Sequence, residues 1–350
     1  MMKKNIITII LATLLIVLAS PGKIKAQTNT QTILLAKTKR LIAQKHFSGT
    51  ITLVKNGQII AQVANGYRNY SHKIKNTPKT TYMIGSVSKA ITAQLIGVLI
   101  KEGKLSLTTR LSTYYPNLKD ANDVTIASVL NHRSGLMVGY FQPLNDYPSY
   151  QTYLAALTHH ARINPRQIDK WHYSSYNYNL LAGIIPKLSH ESYATFLRQN
   201  LAQPLKIKLA LMQTPKPLNS YLYLKGHFIS QDDYNVYDAY GAGQVATDGA
   251  DLYHLLAAFL QGKVLGPKLT ATMYHKPANA PFPYYSAGFY HLENGAYHLH
   301  GTQLGAETSI TISPDGQNAV IVQSNASSYT KGRTVNYTFD APLYKLLLKS

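Results

Sequence analysis

The sequence predicts an α/β chain of the α+β kind: a mixed, mainly antiparallel sheet flanked by helices, with a helical subdomain beside it. Strand and hairpin patterns stand at both ends, helical patterns fill the middle, and turn residues separate them. With 350 residues and a hydrophobic fraction of 45%, the chain can bury a substantial core.

The opening residues, "MMKKNIITIILATLLIVLASPGKIKAQT", carry a lysine pair, an apolar run from Ile6 to Ala19 and a small-residue end at Ile24-Lys25-Ala26. They read as an export signal over residues 1–26, followed by one domain over 27–350. The run is shorter than the roughly 20 residues of a spanning helix, so cleavage is expected and retention as an anchor is the alternative. The chain has no cysteine, which excludes a disulfide framework and a lipid-modified cysteine. That combination fits a bacterial surface protein, either secreted or held at the membrane through its N-terminal segment.

The first sheet region covers about 28–80. "TQTILLAKTKRLIAQKHF" places Ile33, Leu34, Leu41 and Ile42 at helical spacing. "GTITLVKNGQIIAQVANGY" sets Ile51 and Leu53, then Ile59, Ile60 and Val63, on either side of Asn56-Gly57, a strong hairpin signal. Helical signals dominate from about 86 to 260: "KAITAQLIGVLIKEG", "TIASVLNH", "SYATFLRQNLAQPL" and "DGADLYHLLAAFLQG". Strands return over about 280–350 with "GAYHLHG" and "ETSITISPDGQNAVIVQSN", whose Asp315-Gly316 marks another turn. An amphipathic "APLYKLLLK" closes the chain.

Formal net charge is +20, and removing a segment that holds Lys3, Lys4, Lys23 and Lys25 and no acid leaves about +16. This excess favours polyanionic surroundings, an anionic wall polymer or lipid surface. Nucleic acid is not expected, because the chain is exported and has no compact Lys/Arg block. The alternative is a charge spread over a solvated surface that serves solubility alone. Tyrosine-rich stretches such as "YSSYNYN" can line a groove, although covering half-buried surface is the commoner use of such rings.

Chemistry is concentrated in "IGSVSKAITAQL", where Ser86 and Lys89 stand one helical turn apart at the head of an apolar run. Gly85 permits a tight turn, and the free N–H groups of a helix start point outward. The hydroxyl could serve as nucleophile, the amine as its base, and the N–H groups as half of an oxyanion hole. An N-cap serine with a snorkelling lysine explains the segment equally well. The bare spacing recurs as Ser20 to Lys23 and Ser328 to Lys331, neither of which leads into a buried helix.

Taken with "FSGTITLVKNGQIIAQVANGY", "TIASVLNHRSGL", "YSSYNYNLLAGII" and "YGAGQVATDGADLYHLLAAFL", the segment resembles the serine beta-lactamase and penicillin-binding-protein superfamily, in its class C-like, D-alanyl-D-alanine carboxypeptidase-like branch. The likeness runs from about Phe47 to Asn325. It implies a beta-lactamase-like fold, Ser86 as nucleophile, Lys89 as base and no cofactor. The family's second motif, Tyr-x-Asn, falls on Tyr173, with Ser175 at the asparagine place; Tyr176 and Tyr178 are rival assignments. Tyr173 would share the proton relay, while Ser175 lacks the amide that in relatives contacts the substrate.

The third motif, Lys or His, a small residue, then Gly, has no close match. "YHLHGTQLGAETS" offers His298 or His300, which share a strand face. The expectation is His300, holding a polar or anionic substrate group, with Gly301 beside it and an N–H around Gln303 completing the oxyanion hole. Metal binding by the two histidines lacks a third ligand cluster nearby. His132 and Glu191 read as structural.

The resemblance implies a serine acyl hydrolase acting on D-alanyl groups of the cell envelope, either a teichoic acid ester or a D-Ala-D-Ala peptide terminus. A true beta-lactamase ranks behind these. The rival of another class is a non-catalytic, penicillin-binding relative that attaches to the wall.

Overall fold

A computed structural model describes residues 29–349 apart from 46, 140–146, 212–220, 225–226, 231–237, 281–283, 304 and 328–333. The expected export signal and both spare serine–lysine spacings lie outside the described residues.

The first helix, α1, spans Asn29–Gln44 and leads into strands β1, Gly49–Lys55, and β2, Gln58–Asn65. The expected hairpin forms because Asn56 and Gly57 take φ of 50° and 75°, the left-handed pair a two-residue turn requires. Helix α2, Ser88–Lys101, is buried over nearly its whole length and ends where Gly103 adopts φ 71°. Helices α3, Ser175–Ser189, and α4, Gly249–Leu260, complete the helical frame. The Asp248 carboxylate caps α4 by accepting from the Ala250 and Asp251 N–H groups at 2.9 and 3.0 Å.

The chain then returns to the sheet through β3, Tyr284–Ser286; β4, Phe289–His291; β5, Tyr297–Gln303; β6, Ala306–Ile312; and β7, Ala319–Ser324. Helix α5, Asp340–Leu348, follows. The seven strands run β3-β4-β5-β6-β7-β1-β2, with neighbours antiparallel throughout. Pairing of Gly49 with Ser324 brings the two ends of the chain together in mid-sheet. The Asp315-Gly316 turn is present but lies in a longer loop, closed by the Ser313 N–H donating to the Asn318 carbonyl at 2.8 Å.

Strand alternation gives the sheet two apolar faces. Ile51, Leu53, Val320 and Val322 pack under α1 and α5 against Leu34, Ile42, Leu343 and Leu347. Val54, Leu299, Ile310 and Ile321 pack on the other side, against α2 and α4. This is the beta-lactamase-like arrangement that the sequence predicts.

The middle region is less purely helical than expected. Ser134–Val138 pairs with Ala161–Ile168, and Tyr221–Leu224 pairs with His227–Ser230. These segments are short and weakly patterned; their ladders form only once tertiary contacts bring them together. No helix among the described residues is long and apolar enough to cross a membrane.

Candidate active site

Ser86 sits in a single turn of 3-10 helix, Gly85–Val87, that feeds straight into α2. Gly85 has φ 50°, and a side chain there would strike the Thr302 backbone, with its Cβ 2.6 Å from the Thr302 nitrogen. From the facing strand the approach is equally tight: a Cβ on Gly301 would lie 2.1 Å from the Ile84 carbonyl oxygen and 2.5 Å from the Ser86 nitrogen. Two glycines thus let the edge of β5 press against the backbone at Ser86, which brings the Thr302 backbone next to the Ser86 turn.

Lys89 is 1% exposed. Its Nζ donates to Ser86 Oγ at 3.0 Å, to Ser175 Oγ at 3.2 Å and to the Ala242 carbonyl at 2.9 Å. Three donor positions thereby meet three acceptors, which is how a buried amine avoids the cost of unmet polar groups. All three acceptors are neutral oxygens, so none of these bonds is a salt bridge. Snorkelling is ruled out, and Ser86 is not an N-cap: the residue preceding α2 is Val87.

The Tyr173 ring lies 5.1 Å from Lys89 Nζ and packs on His132, with ring centroids 4.4 Å apart. Burial, reinforced by the nearby Lys89 charge, holds the His132 imidazole well below the usual histidine range and therefore neutral. Its Nδ1 accepts the Ser174 N–H at 3.3 Å, so His132 braces the start of α3 and with it Tyr173. Of the rival tyrosines, Tyr178 is fully buried and donates its hydroxyl to the Leu130 carbonyl at 2.8 Å. Tyr176 lines the cleft near Ser86 but stands beyond Ser175 on α3.

The cleft has a volume of about 490 Å³. Ser86, Tyr173, Ser175 and Gln303 all line it, as do His172 and Asp238, two residues that no sequence motif marks. Gln303 also faces Gly243 across the cleft, its Oε1 3.3 Å from where a Cβ on that glycine would stand. Asp238 carries no spacing signal; it begins a turn that only the fold brings to the Ser86 cleft.

One expected side chain does not join this group. His300 belongs to the face of β5 that points away from Ser86, because its neighbour Gly301 meets Ser86 and successive residues alternate. His300 Nε2 is instead 2.9 Å from the buried Glu307 Oε1, and the ring is 27% exposed. Leu299, which shares the face of Gly301, is 1% exposed and packed in the core. His298 does share a face with His300, their rings nearly parallel at 6.4 Å. It too turns to α5, with Nδ1 3.2 Å from Asp340 Oδ2.

A serine and a buried lysine one turn apart, at the head of a helix pressed on the edge of an antiparallel sheet, define a serine hydrolase working by acyl transfer. The chain belongs to the Beta-lactamase family, whose model matches residues 35–345. It is 28% identical over 312 residues to PbpX of Bacillus subtilis, described as a penicillin-binding protein, covering 86% of this chain and 76% of that one. It is 27% identical over 278 residues to the teichoic acid D-alanine hydrolase of Staphylococcus aureus, covering 77% and 69%. Among solved structures, FmtA from Staphylococcus aureus superposes with a TM-score of 0.77 at 24% identity over 93% of this chain and 91% of that one. The D-amino acid amidase of Ochrobactrum anthropi gives 0.77 at 18% identity over 92% and 98%. At these identities the two structures establish the fold.

Proposed function

We infer that the protein is an exported hydrolase that releases D-alanine from ester linkage on an anionic envelope polymer of the teichoic acid kind. The carrying observation is the Lys89 amine, buried and hydrogen-bonded to Ser86 Oγ, at the Ser86 cleft. Lys89 takes the Ser86 proton as Oγ attacks the acyl carbon. The oxyanion is held by the N–H groups of Ser86 and of the Thr302–Gln303 edge. The polyol oxygen leaves with a proton passed through Lys89 and Tyr173, and water then attacks the acyl-enzyme along the reverse path, freeing D-alanine and Ser86.

Two features favour the ester over a D-Ala-D-Ala terminus. Ser175 presents a hydroxyl where the family's peptidases carry an amide that contacts the substrate's amide carbonyl, and a D-alanyl ester with a free amine has no such carbonyl. Apart from Lys89 beside Ser86, no arginine or lysine lines the described cleft, so a peptide's terminal carboxylate has no obvious partner there. The relative in Staphylococcus aureus is named for this reaction, and a net charge of +20 suits a phosphate-rich polymer.

The test incubates the protein with D-alanylated lipoteichoic acid and, separately, with a peptide ending in D-Ala-D-Ala, and measures released D-alanine with Ser86→Ala as control. Ser86-dependent release from the polymer is expected; release from the peptide alone refutes the ester reading. Intact mass after treatment with a serine-directed acylating probe addresses the non-catalytic alternative: a wild-type protein that takes no adduct sinks the enzyme mechanism.

A further inference from the structure

Asp238 is the one acidic side chain lining the described cleft. Its segment is held in place: Asn179 Nδ2, on α3, donates to the Asp238 carbonyl at 3.1 Å and to the Tyr240 carbonyl at 2.7 Å. The carboxylate is poorly served by comparison. Its Oδ1 is buried and accepts no hydrogen bond among the described residues. A buried acceptor without a donor is costly, and on a side chain that lines the cleft the missing donor can come from what binds there.

We propose that Asp238 receives the α-ammonium of the D-alanyl group, and so makes the enzyme specific for acyl groups with a free amine. The proposal rests on the D-alanyl ester reading and deepens it. In a D-alanyl ester the nitrogen sits one carbon from the acyl carbon that Ser86 attacks, so a cleft built around Ser86 must accommodate a cation at its wall. In a D-Ala-D-Ala terminus the same nitrogen is acylated and neutral, and an acid at the cleft wall would have no substrate charge to pair with. The charge pattern therefore favours one substrate over the other: an acid at the wall, and no arginine or lysine besides Lys89 at the described cleft.

Electrostatics agree with the geometry. Burial pushes the Asp238 carboxyl up to about 6, while the Lys89 charge and the Ala239 N–H pull it back. An arriving ammonium would relieve the charge that burial disfavours. Because Asp238 and the Lys89 amine are electrostatically coupled, the substrate cation would also screen Lys89 from the carboxylate as the ester enters.

Two synthetic glycerol esters of the same shape make the test, one D-alanyl and one D-lactyl, in which a hydroxyl replaces the ammonium. The readout is the ratio of their kcat/KM values, within wild type and within Asp238→Asn. Because the ratio is internal to each preparation, it does not depend on how much of a variant has folded. Wild type should favour the D-alanyl ester, and Asp238→Asn should lower the ratio about tenfold, as expected for loss of one close charge pair. Asp238→Glu should restore part of it. A ratio unchanged by Asp238→Asn overturns the proposal, whether both rates fall together or neither moves. Wild type that cleaves both esters equally through Ser86 keeps the esterase reading and removes the ammonium receptor; wild type that cleaves neither removes both.

Discussion

The two faces of β5 hold two buried polar clusters that differ in how completely they are satisfied. Away from the cleft, Glu307 takes the His300 imidazole at 2.9 Å, the Thr334 hydroxyl at 2.7 Å, and the backbone N–H groups of Val335 and Asn336 at 3.0 and 3.2 Å. Burial alone would raise its carboxyl, yet these bonds outweigh burial and hold it below the usual glutamate range. Toward the cleft, Lys89 touches only neutral oxygens and Asp238 keeps an unmet one. A carboxylate wrapped in donors ties the sheet to the segment before α5; a carboxylate left short of donors waits for a ligand. The comparison places structure on one face of a single strand and chemistry on the other.

Substitutions test that division, beginning with the greatest loss. Ser86→Ala should lower turnover of a D-alanyl ester by about 10⁴-fold or more while leaving thermal stability nearly unchanged, since nucleophile removal is catalytic and not structural. Gly301→Ala should cost about 10²-fold in kcat, because its methyl would occupy space 2.5 Å from the Ser86 nitrogen and push the strand off the oxyanion site. Retained activity in that variant, measured on folded protein, would show that the strand does not build the site.

Glu307→Gln should instead act on stability, lowering it by about 2–3 kcal/mol in denaturant unfolding, because it removes a buried charge from four donors. The pH dependence has a definite sign. With the folded carboxyl below its unfolded value, the stabilisation is fully present above the usual glutamate range and is lost as pH falls through the folded value. The wild type should therefore lose stability on acidification in that window faster than Glu307→Gln does. The smallest effect belongs to His300→Gln, which should change kcat/KM by less than about threefold and stability by about 1 kcal/mol. A loss of kcat beyond tenfold there would return His300 to the catalytic face.

Much of this arrangement is legible in the amino-acid sequence. Asn56-Gly57 dictates its hairpin by backbone conformation alone, and Ser86 and Lys89 meet because a helix brings positions three apart together. The family resemblance points to Tyr173 through its spacing to the Leu180-Leu181-Ala182-Gly183 stretch of α3, and its ring does lie beside Lys89. The strand holding His298 and His300 shows where such reading stops. Period-two alternation puts both rings on one face but leaves open which face meets the helix, and that is decided by Gly301 docking on Ser86. Asp238 escapes notice for a related reason: it sits in a turn, where no periodicity marks a buried side, and its importance comes from a partner over a hundred residues away.

The glycine-to-backbone approach between β5 and the Ser86 turn makes the anion pocket a property of assembly, since neither segment contains it alone. A slight parting of sheet and helix, too small to expose the core or alter circular dichroism, would already pull the strand amides out of range. On warming, hydrolysis should therefore fail several degrees before the fold does, and the enzyme's rate becomes a sensitive gauge of how firmly its two halves are joined.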